Sequence, residues 1–153
     1  MKIAIGSDHL GYQLKKSLIE FLQNQKDIPV TIFDLGVEDM QEIDYPLIAE
    51  RVALKVKSAE AERGILICGT GIGMAMTANK IPGIRAAQAH DTYSAMRARM
   101  SNNAQIITLG ALVIGTELAK EIIGVWLRSE FQGGRSTAKV ELINDIDRRY
   151  HHE

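Results

Sequence analysis

The chain has 153 residues, of which 46% are hydrophobic and 24% charged, the balance of an ordinary globular domain. Its formal net charge of -1 excludes the basic excess of a typical nucleic-acid-binding domain, and its single cysteine excludes an internal disulfide and a cysteine-rich zinc site. No apolar run approaches the length of a membrane helix, and the first residues lack a signal-peptide pattern. We therefore expect one cytoplasmic domain over residues 1–153, with no nucleic-acid or membrane partner.

Short apolar runs alternate with helical patterns along the chain. In chain order the patterns predict a strand at 2–5, a helix over 14–22, a strand at 29–35, a helix over 45–56, a strand at 64–68, a helix at 74–80, a strand at 84–89, a helix over 91–99, a strand at 105–109, a helix over 115–128 and a final helix over 136–150. Such alternation is typical of a parallel sheet covered by helices on both faces. We predict an α/β protein with three layers and a five-stranded parallel sheet.

The last two predicted helices carry apolar faces. The helix over 115–128 is expected to bury four side chains, namely Leu118, Ile122, Val125 and Trp126. The final helix carries Val140, Ile143 and Ile146, but no strand follows it, so these side chains need another surface to cover them. We expect that surface to belong to a second copy of the chain, and we expect the terminal His151 and His152 to fray.

Reactive side chains follow the first and third predicted strands. Asp8 and His9 come directly after the first strand, and Cys68 ends the third, followed by the glycine loop 69–73. Ligands of parallel sheets bind beyond the carboxyl ends of the strands, and the N–H groups of a glycine turn can converge on an anion. The same environment favours a thiolate, which makes Cys68 a candidate base. The alternatives are that Asp8 only caps a helix and that Cys68 is an inert buried residue.

Other glycine-loop families fit this sequence poorly. The run GTGIGMAM from residue 69 lacks the Gly-Lys pair of a P-loop, and its third glycine comes one residue too early for a dinucleotide-binding fingerprint. A cysteine phosphatase loop needs an arginine where this chain has Met74. An acid, an imidazole, a thiol and a glycine loop on adjacent strand ends favour proton transfer on a small anionic substrate.

Two cations lie at the start of the final helix. Arg135 follows Gly133-Gly134, and Lys139 comes four residues later on the same helix face. An arginine fork and a lysine point charge can together bind a phosphate group. The alternative is a solvated basic face beside a flexible turn.

Six segments extend this pattern over the whole chain. They are IAIGSDHLGY at 3–12, DYP at 44–46, GILICGTGIG at 64–73, ANKIPGIRAA at 78–87, SNNAQIITLG at 101–110 and EFQGGR at 130–135. Together they resemble the ribose-5-phosphate isomerase type B family, which includes the galactose-6-phosphate isomerase subunits. The resemblance implies a Rossmann-like or flavodoxin-like fold and aldose–ketose isomerisation through a cis-enediolate, with no metal and no cofactor.

The resemblance also implies roles for individual residues. Cys68 matches the base that moves a proton between C1 and C2 of the sugar. Thr70 and the amides of the glycine loop match the groups that hold the enediolate oxygens; the loop glycines concerned are Gly69, Gly71 and Gly73. Positions that contact the sugar and its phosphate are matched by Asp8, His9, Tyr45, Asn102 and Arg135. A homodimer or tetramer is implied, with active sites at the subunit interface that use both chains.

Three substrate-handling positions depart from the family pattern. Ser101 stands where the family has the histidine that opens the sugar ring, Leu112 stands where many members have a phosphate-binding arginine, and Lys139 replaces a second arginine. Ser101 is therefore the candidate catalytic residue at the ring-opening position. All three changes leave the proton-transfer centre intact, and they favour a substrate that needs no ring opening.

Several functions remain open at this point. Conversion of ribose 5-phosphate to ribulose 5-phosphate, the family's main activity, is the first expectation. The alternative is a tetrose phosphate isomerase acting on erythrose 4-phosphate and erythrulose 4-phosphate, because a tetrose 4-phosphate cannot form a furanose through its blocked O4. A non-catalytic partner subunit is disfavoured by the retained Cys68 and Thr70. A flavodoxin-like module that binds FMN or acts in signalling is disfavoured by an aromatic content of only 5%.

Overall fold

The computed structural model describes residues 1–151, which form five strands and six helices. The strands are β1 (Lys2–Ser7), β2 (Thr31–Asp34), β3 (Arg63–Cys68), β4 (Ala86–Gln88) and β5 (Ile106–Gly110). The helices are α1 (Tyr12–Gln23), α2 (Tyr45–Lys57), α3 (Ile72–Ala78), α4 (Thr92–Met100), α5 (Thr116–Arg128) and α6 (Arg135–Tyr150). Every predicted element is present. Within residues 1–151, the six helices are too short or too polar to span a lipid bilayer.

The strands form one parallel sheet in the order β2-β1-β3-β5-β4. The chain passes from β1 outward to β2 and then returns to the other side of β1 as β3, so a topological switch point lies between β1 and β3. The register places Ser7 opposite Ile67 and Cys68 opposite Gly110. The reactive ends of β1 and β3 therefore lie side by side at the switch point, where this class of sheet binds ligands.

Side chains of the central strands alternate between two apolar cores, as the two-residue period of a strand requires. Ala4, Leu66 and Ile106 pack in the core beneath α2 and α3. Ile5 and Ile107 point to the opposite face, which is covered by α1, α4 and α5. Helices thus cover both faces, and the predicted α/β fold with a five-stranded parallel sheet is confirmed.

The buried stripe of α5 differs from the prediction at one position. Ile122 and Trp126 are fully buried and Val125 is half-buried, but Leu118 is 43% exposed. Ala119 is buried in its place, because the stripe follows the 3.6-residue helical period from residue 119 through 122, 123 and 126. The prediction of an inward Leu118 was therefore wrong.

Helix α6 attaches to its own chain at few points. Val140 is buried, and the Asp147 carboxylate accepts a hydrogen bond from the Gly83 amide at 2.6 Å. Ile143 and Ile146 remain 42% and 50% exposed. Residues 1–151 of one chain therefore leave open the apolar face that the sequence predicts to need a second surface.

Two chain segments differ locally from the prediction. Strand β2 begins later than predicted, since Pro29 has no amide to donate and its carbonyl accepts the Met1 ammonium at 2.7 Å. The prediction that His151 frays was wrong, because its ring contacts the Asp147 carboxylate at the end of α6. His152 lies outside the described residues.

Candidate active site

Cys68 is the last residue of β3 and is 5% exposed. The loop that follows turns back on it, so that the Gly71 amide donates a hydrogen bond to the Cys68 Sγ at 3.1 Å. Gly71 adopts a φ of +76°, and a Cβ there would lie 2.9 Å from the Leu109 backbone. Glycine is thus required both for the turn and for the close approach, and the turn directs a backbone donor at the sulfur, where it stabilises negative charge.

The backbone amides of the glycine loop do not all point outward toward a common anion. The Gly71 amide is directed at the sulfur of Cys68, and the Ile72 amide donates to the Thr70 Oγ1 at 3.3 Å. Thr70 itself is exposed at the rim of the loop. The two amides therefore orient the thiol and the hydroxyl to which the sequence assigns chemistry.

The loop after β1 packs directly on the end of β3. The Asp8 amide donates to the Ile67 carbonyl at 3.2 Å, and a Cβ on Gly11 would lie 2.7 Å from that same carbonyl oxygen. Asp8 is 6% exposed, and its Oδ1 accepts the Gly11 amide at 3.0 Å in the turn before α1. The N-cap of α1 is Gly11, with no side-chain cap, so the alternative that Asp8 only caps this helix is not what the structure shows. The buried Nδ1 of His9 has no hydrogen-bond partner among residues 1–151. The structure brings these two side chains to the strand end that carries Cys68.

Tyr45 reaches the same loop from the start of α2. Its ring lies over Gly73 so closely that a Cβ on Gly73 would be 2.5 Å from the ring carbons. Tyr45 is 39% exposed, and its hydroxyl oxygen would lie 2.7 Å from the same Cβ, so the hydroxyl also lies at the loop. The two residues are 28 positions apart in sequence, and the absence of a side chain at Gly73 permits their contact.

We expect Gly73→Ala to displace the Tyr45 ring and to raise the KM for a sugar phosphate about tenfold, since displacement of a contacting group by about 1 Å costs this much or more. Steady-state kinetics will measure it. Gly115→Ala is the matched control, because a Cβ there meets nothing within 4 Å, and it should leave KM unchanged. An unchanged KM in Gly73→Ala would show that Tyr45 does not contact the substrate.

The remaining sequence-predicted residues lie at the other edge of the sheet. Helices α4 and α5 run from the carboxyl edge to the amino edge, and the loops after them are joined by a hydrogen bond from the Gln132 amide to the Met100 carbonyl at 3.2 Å. The first of these loops leads into β5, which begins opposite Gly64 near the amino end of β3. Gly64 and Cys68 are four residues apart on β3, and at about 3.3 Å per residue this is a distance of roughly 13 Å. The predicted residues at this amino edge are Ser101, Asn102, Arg135 and Lys139. One chain therefore does not bring them to Cys68.

The sequence assigned no role to three polar side chains at the ends of β4 and β5. The Gln88 amide donates to the Thr70 carbonyl at 2.7 Å, and the Thr108 hydroxyl donates to the Gly71 carbonyl at 2.8 Å. The Gly110 amide donates to the His90 Nε2 at 2.9 Å. The sequence could have indicated them, because each is a polar residue near the carboxyl end of a strand that is otherwise apolar, either within the strand or directly after it. All three hold the loops that surround Cys68.

No grouping of three His, Cys, Asp or Glu side chains suited to a metal ion occurs within residues 1–151. Next to His90, the Asp91 carboxylate caps α4 by accepting the Ser94 amide at 2.6 Å. Hydrogen bonds from Ser94 hold the pKa of this carboxyl below its usual range. Asp91 therefore acts as the N-cap of α4.

The comparisons with known proteins agree with this geometry. The family model described as Ribose/Galactose Isomerase matches residues 3–143. The chain belongs to this family. The isomerase is 59% identical over 149 residues to the ribose-5-P isomerase B of Listeria innocua, covering 97% of this chain and 99% of that protein. It is 52% identical over 153 residues to the D-erythrulose-4-phosphate isomerase of Pectobacterium atrosepticum, covering 100% of this chain and 99% of that protein.

A solved structure gives the same result for the fold. The isomerase superimposes on the ribose-5-phosphate isomerase B of Clostridium thermocellum with a TM-score of 0.94 and 45% sequence identity, covering 99% of this chain and 100% of that one. The predicted family is confirmed, and the chain is a sugar phosphate isomerase that interconverts an aldose and a ketose.

Proposed function

We propose that this isomerase converts ribose 5-phosphate to ribulose 5-phosphate through a cis-enediolate, with Cys68 as the base. The Cys68 thiolate takes the proton from C2 of the open-chain aldose, and the electrons of that C–H bond form the C1–C2 double bond of the enediolate. Return of the proton to C1 and transfer of the O2 hydroxyl proton to O1 give the ketose. The observation that carries this proposal is the Gly71 amide 3.1 Å from the Cys68 sulfur at the switch point.

The groups around Cys68 support the same chemistry. Thr70 lies at the rim of the loop and offers a hydroxyl to the enediolate oxygens. Asp8, His9 and Tyr45 come from the adjacent β1 and α2 and would contact the sugar hydroxyls. The glycines of the loop, Gly69, Gly71 and Gly73, allow the backbone to approach the reacting carbons.

A complete site requires a second copy of the chain. The phosphate-binding candidates Arg135 and Lys139, and the sugar-handling candidates Ser101 and Asn102, lie at the sheet edge opposite Cys68. A homodimer in which the amino edge of one chain meets the carboxyl edge of the other would join the two groups. The open apolar face of α6, with Ile143 and Ile146 about half exposed, provides a surface for such an interface. A dimer of dimers would preserve the same paired sites.

A tetrose phosphate is the second candidate substrate, and two departures from the family pattern favour it, Ser101 at the amino edge and Leu112 beside the glycine loop. Ser101 Oγ is buried without a hydrogen-bond partner among residues 1–151, and a serine hydroxyl does not exchange protons near neutral pH as an imidazole does. Leu112 is 72% exposed, and its Cδ1 lies 3.3 Å from the position of a Cβ on Gly69, so an apolar side chain flanks the loop. The Pectobacterium relative named D-erythrulose-4-phosphate isomerase aligns over the full chain.

Ser101→His separates the two candidates. We expect this variant to raise the rate with ribose 5-phosphate by about tenfold or more, because an added general acid–base group can accelerate ring opening. It should leave the rate with erythrose 4-phosphate unchanged, since that sugar does not close a furanose ring. Stopped-flow assays of both proteins with both sugars will measure this.

The parent rates decide the substrate. A higher kcat/KM of the parent enzyme for ribose 5-phosphate than for erythrose 4-phosphate supports the pentose assignment, and the reverse order replaces it by the tetrose assignment. Equal gains of Ser101→His on both sugars would contradict a role in ring opening.

A further inference from the structure

One peptide group connects Gln88 to the sulfur of Cys68. The carbonyl of the Thr70–Gly71 peptide accepts the Gln88 Nε2 at 2.7 Å, and the N–H of the same peptide donates to the Cys68 Sγ at 3.1 Å. A trans peptide is planar, with its C=O and N–H pointing in opposite directions. A hydrogen bond that fixes the carbonyl therefore also fixes the direction of the N–H toward the sulfur.

The next carbonyl of the loop is held in the same way. The Gly71 carbonyl accepts the Thr108 hydroxyl at 2.8 Å and also the Ala75 amide at 3.1 Å. Thr108 is fully buried in β5, where the neighbouring side chains are apolar. A hydroxyl in such a strand is costly unless it is hydrogen-bonded, and this one is used on the loop that follows Cys68.

Gln88 and Thr108 act from the same place in the sheet. They are register partners in the parallel pair of β4 and β5, so their side chains project from the same face. From there they bind two successive carbonyls, those of Thr70 and Gly71. Gly110 permits the loop to lie this close, because a Cβ there would be 2.7 Å from the Thr70 backbone. The glycine loop after Cys68 is thus held by hydrogen bonds against the carboxyl ends of β4 and β5.

We infer that Gln88 and Thr108 are positioning residues that hold the Gly71 amide on the sulfur of Cys68. They act through the loop backbone and do not contact the substrate themselves. The inference deepens the proposed function and rests on it for the catalytic consequence, whereas its effect on the thiol can be measured without any substrate. Hydrogen bonds in series polarise one another, so the Gln88 bond also strengthens the donor that faces the sulfur.

The experiment compares Gln88→Leu and Thr108→Val with the parent. Because Cys68 is the single cysteine of the chain, thiolate absorbance at 240 nm reports on it alone. We expect the midpoint of this titration to rise by about half a pH unit in each variant, since a weakened donor disfavours the thiolate. The kcat at neutral pH should fall about three- to tenfold with little change in KM, as expected when the base is affected and substrate binding is not.

Two controls separate positioning from a general loss of stability. Thr108→Ser keeps the hydroxyl and should restore the parent titration midpoint and kcat. Gln23→Leu removes an exposed glutamine at the amino end of the sheet and should change neither quantity. A lower Tm in Gln88→Leu and Thr108→Val, with parent values of the thiol midpoint and of kcat per folded enzyme, would overturn the inference.

The same data distinguish failure of the proposed function from failure of the inference. If the thiol midpoint shifts in both variants while Cys68→Ala retains full turnover, Gln88 and Thr108 position the thiol as inferred and Cys68 is not the base. If Cys68→Ala abolishes turnover while neither variant moves the midpoint or kcat, the base assignment stands and the positioning role is wrong.

Discussion

Replacement of Cys68 by alanine is expected to lower kcat by about 10²- to 10⁴-fold, the range for loss of a general base. The physical reason is that the sulfur is the atom at which the Gly71 amide is directed, at the strand end that also carries Asp8 and His9. Phosphate binding should persist, because the cationic candidates are on other elements. The direct measurement is exchange of the substrate C2 proton with solvent, followed by NMR in D₂O.

Two features make this variant interpretable. Cys68 is a small side chain in the core beneath α2 and α3, so its truncation should cost only about 1 kcal/mol of unfolding free energy and leave the fold intact. Cys68→Ser provides the matched control, since it keeps a polar group of similar size with a far weaker tendency to ionise, and it should be nearly as inactive. Undiminished proton exchange in Cys68→Ala would remove the thiol from the mechanism. A parent enzyme with no turnover on any C4, C5 or C6 sugar phosphate would instead support a non-catalytic partner subunit.

The carboxyl-edge part of the candidate site could be predicted from the sequence. Asp8 and Cys68 each follow a short apolar run, and parallel strands bring their carboxyl ends to one edge, so their proximity follows from the alternation of strands and helices. The direction of the Gly71 amide could not be predicted, because it depends on a positive φ combined with contacts to Leu109 on another strand. Sequence spacing carries no information on which way a peptide plane faces.

The amino-edge part shows a different limit. Ser101 and Arg135 match family positions, and residue matching alone does not reveal that they lie at the opposite edge from Cys68. The two residues are separated from Cys68 because α4 and α5 each run from the carboxyl edge of the sheet to its amino edge. The loops that carry Ser101 and Arg135 follow these helices and therefore lie at the amino edge. The order β2-β1-β3-β5-β4 is likewise not determined by alternation, which is compatible with several orders. Gln88 and Thr108 were missed for this reason, since their pairing exists only because β4 lies next to β5.

The open face of α6 was anticipated because its apolar residues have no following strand to cover them. What the sequence could not indicate is how α6 is held to its own chain. Two hydrogen bonds fix one side of the helix to the turn at residues 83–85, 64 and 59 residues earlier in the chain. The Gly83 amide donates to Asp147, and Arg85 donates to the Asn144 Oδ1 at 2.8 Å. The helix is thereby held with Ile143 and Ile146 outward, in the position that the proposed dimer requires.

Arg135→Ala is expected to raise KM roughly 10- to 100-fold with little change in kcat, the range for loss of a hydrogen-bonded ionic contact to phosphate. Lys139→Ala should raise KM only about threefold, because an exposed point charge contributes less than a bidentate fork. Titration with inorganic phosphate measures both losses directly. Arg148→Ala is the matched control, since Arg148 is an exposed arginine of α6 that pairs with Asp145, and it should leave phosphate affinity unchanged.

Arg135→Ala also tests whether each active site takes Arg135 and Cys68 from different chains. Cys68→Ala and Arg135→Ala chains, each poorly active alone at low substrate, are unfolded together and refolded as a mixture. If the site is shared, half of the dimers pair one chain of each kind and contain one site with both residues intact, so about a quarter of the parent activity returns. If both residues act within one chain, every site in the mixture lacks one of them and no activity is regained. Parent affinity for phosphate in Arg135→Ala would show that the two cations form only a solvated face.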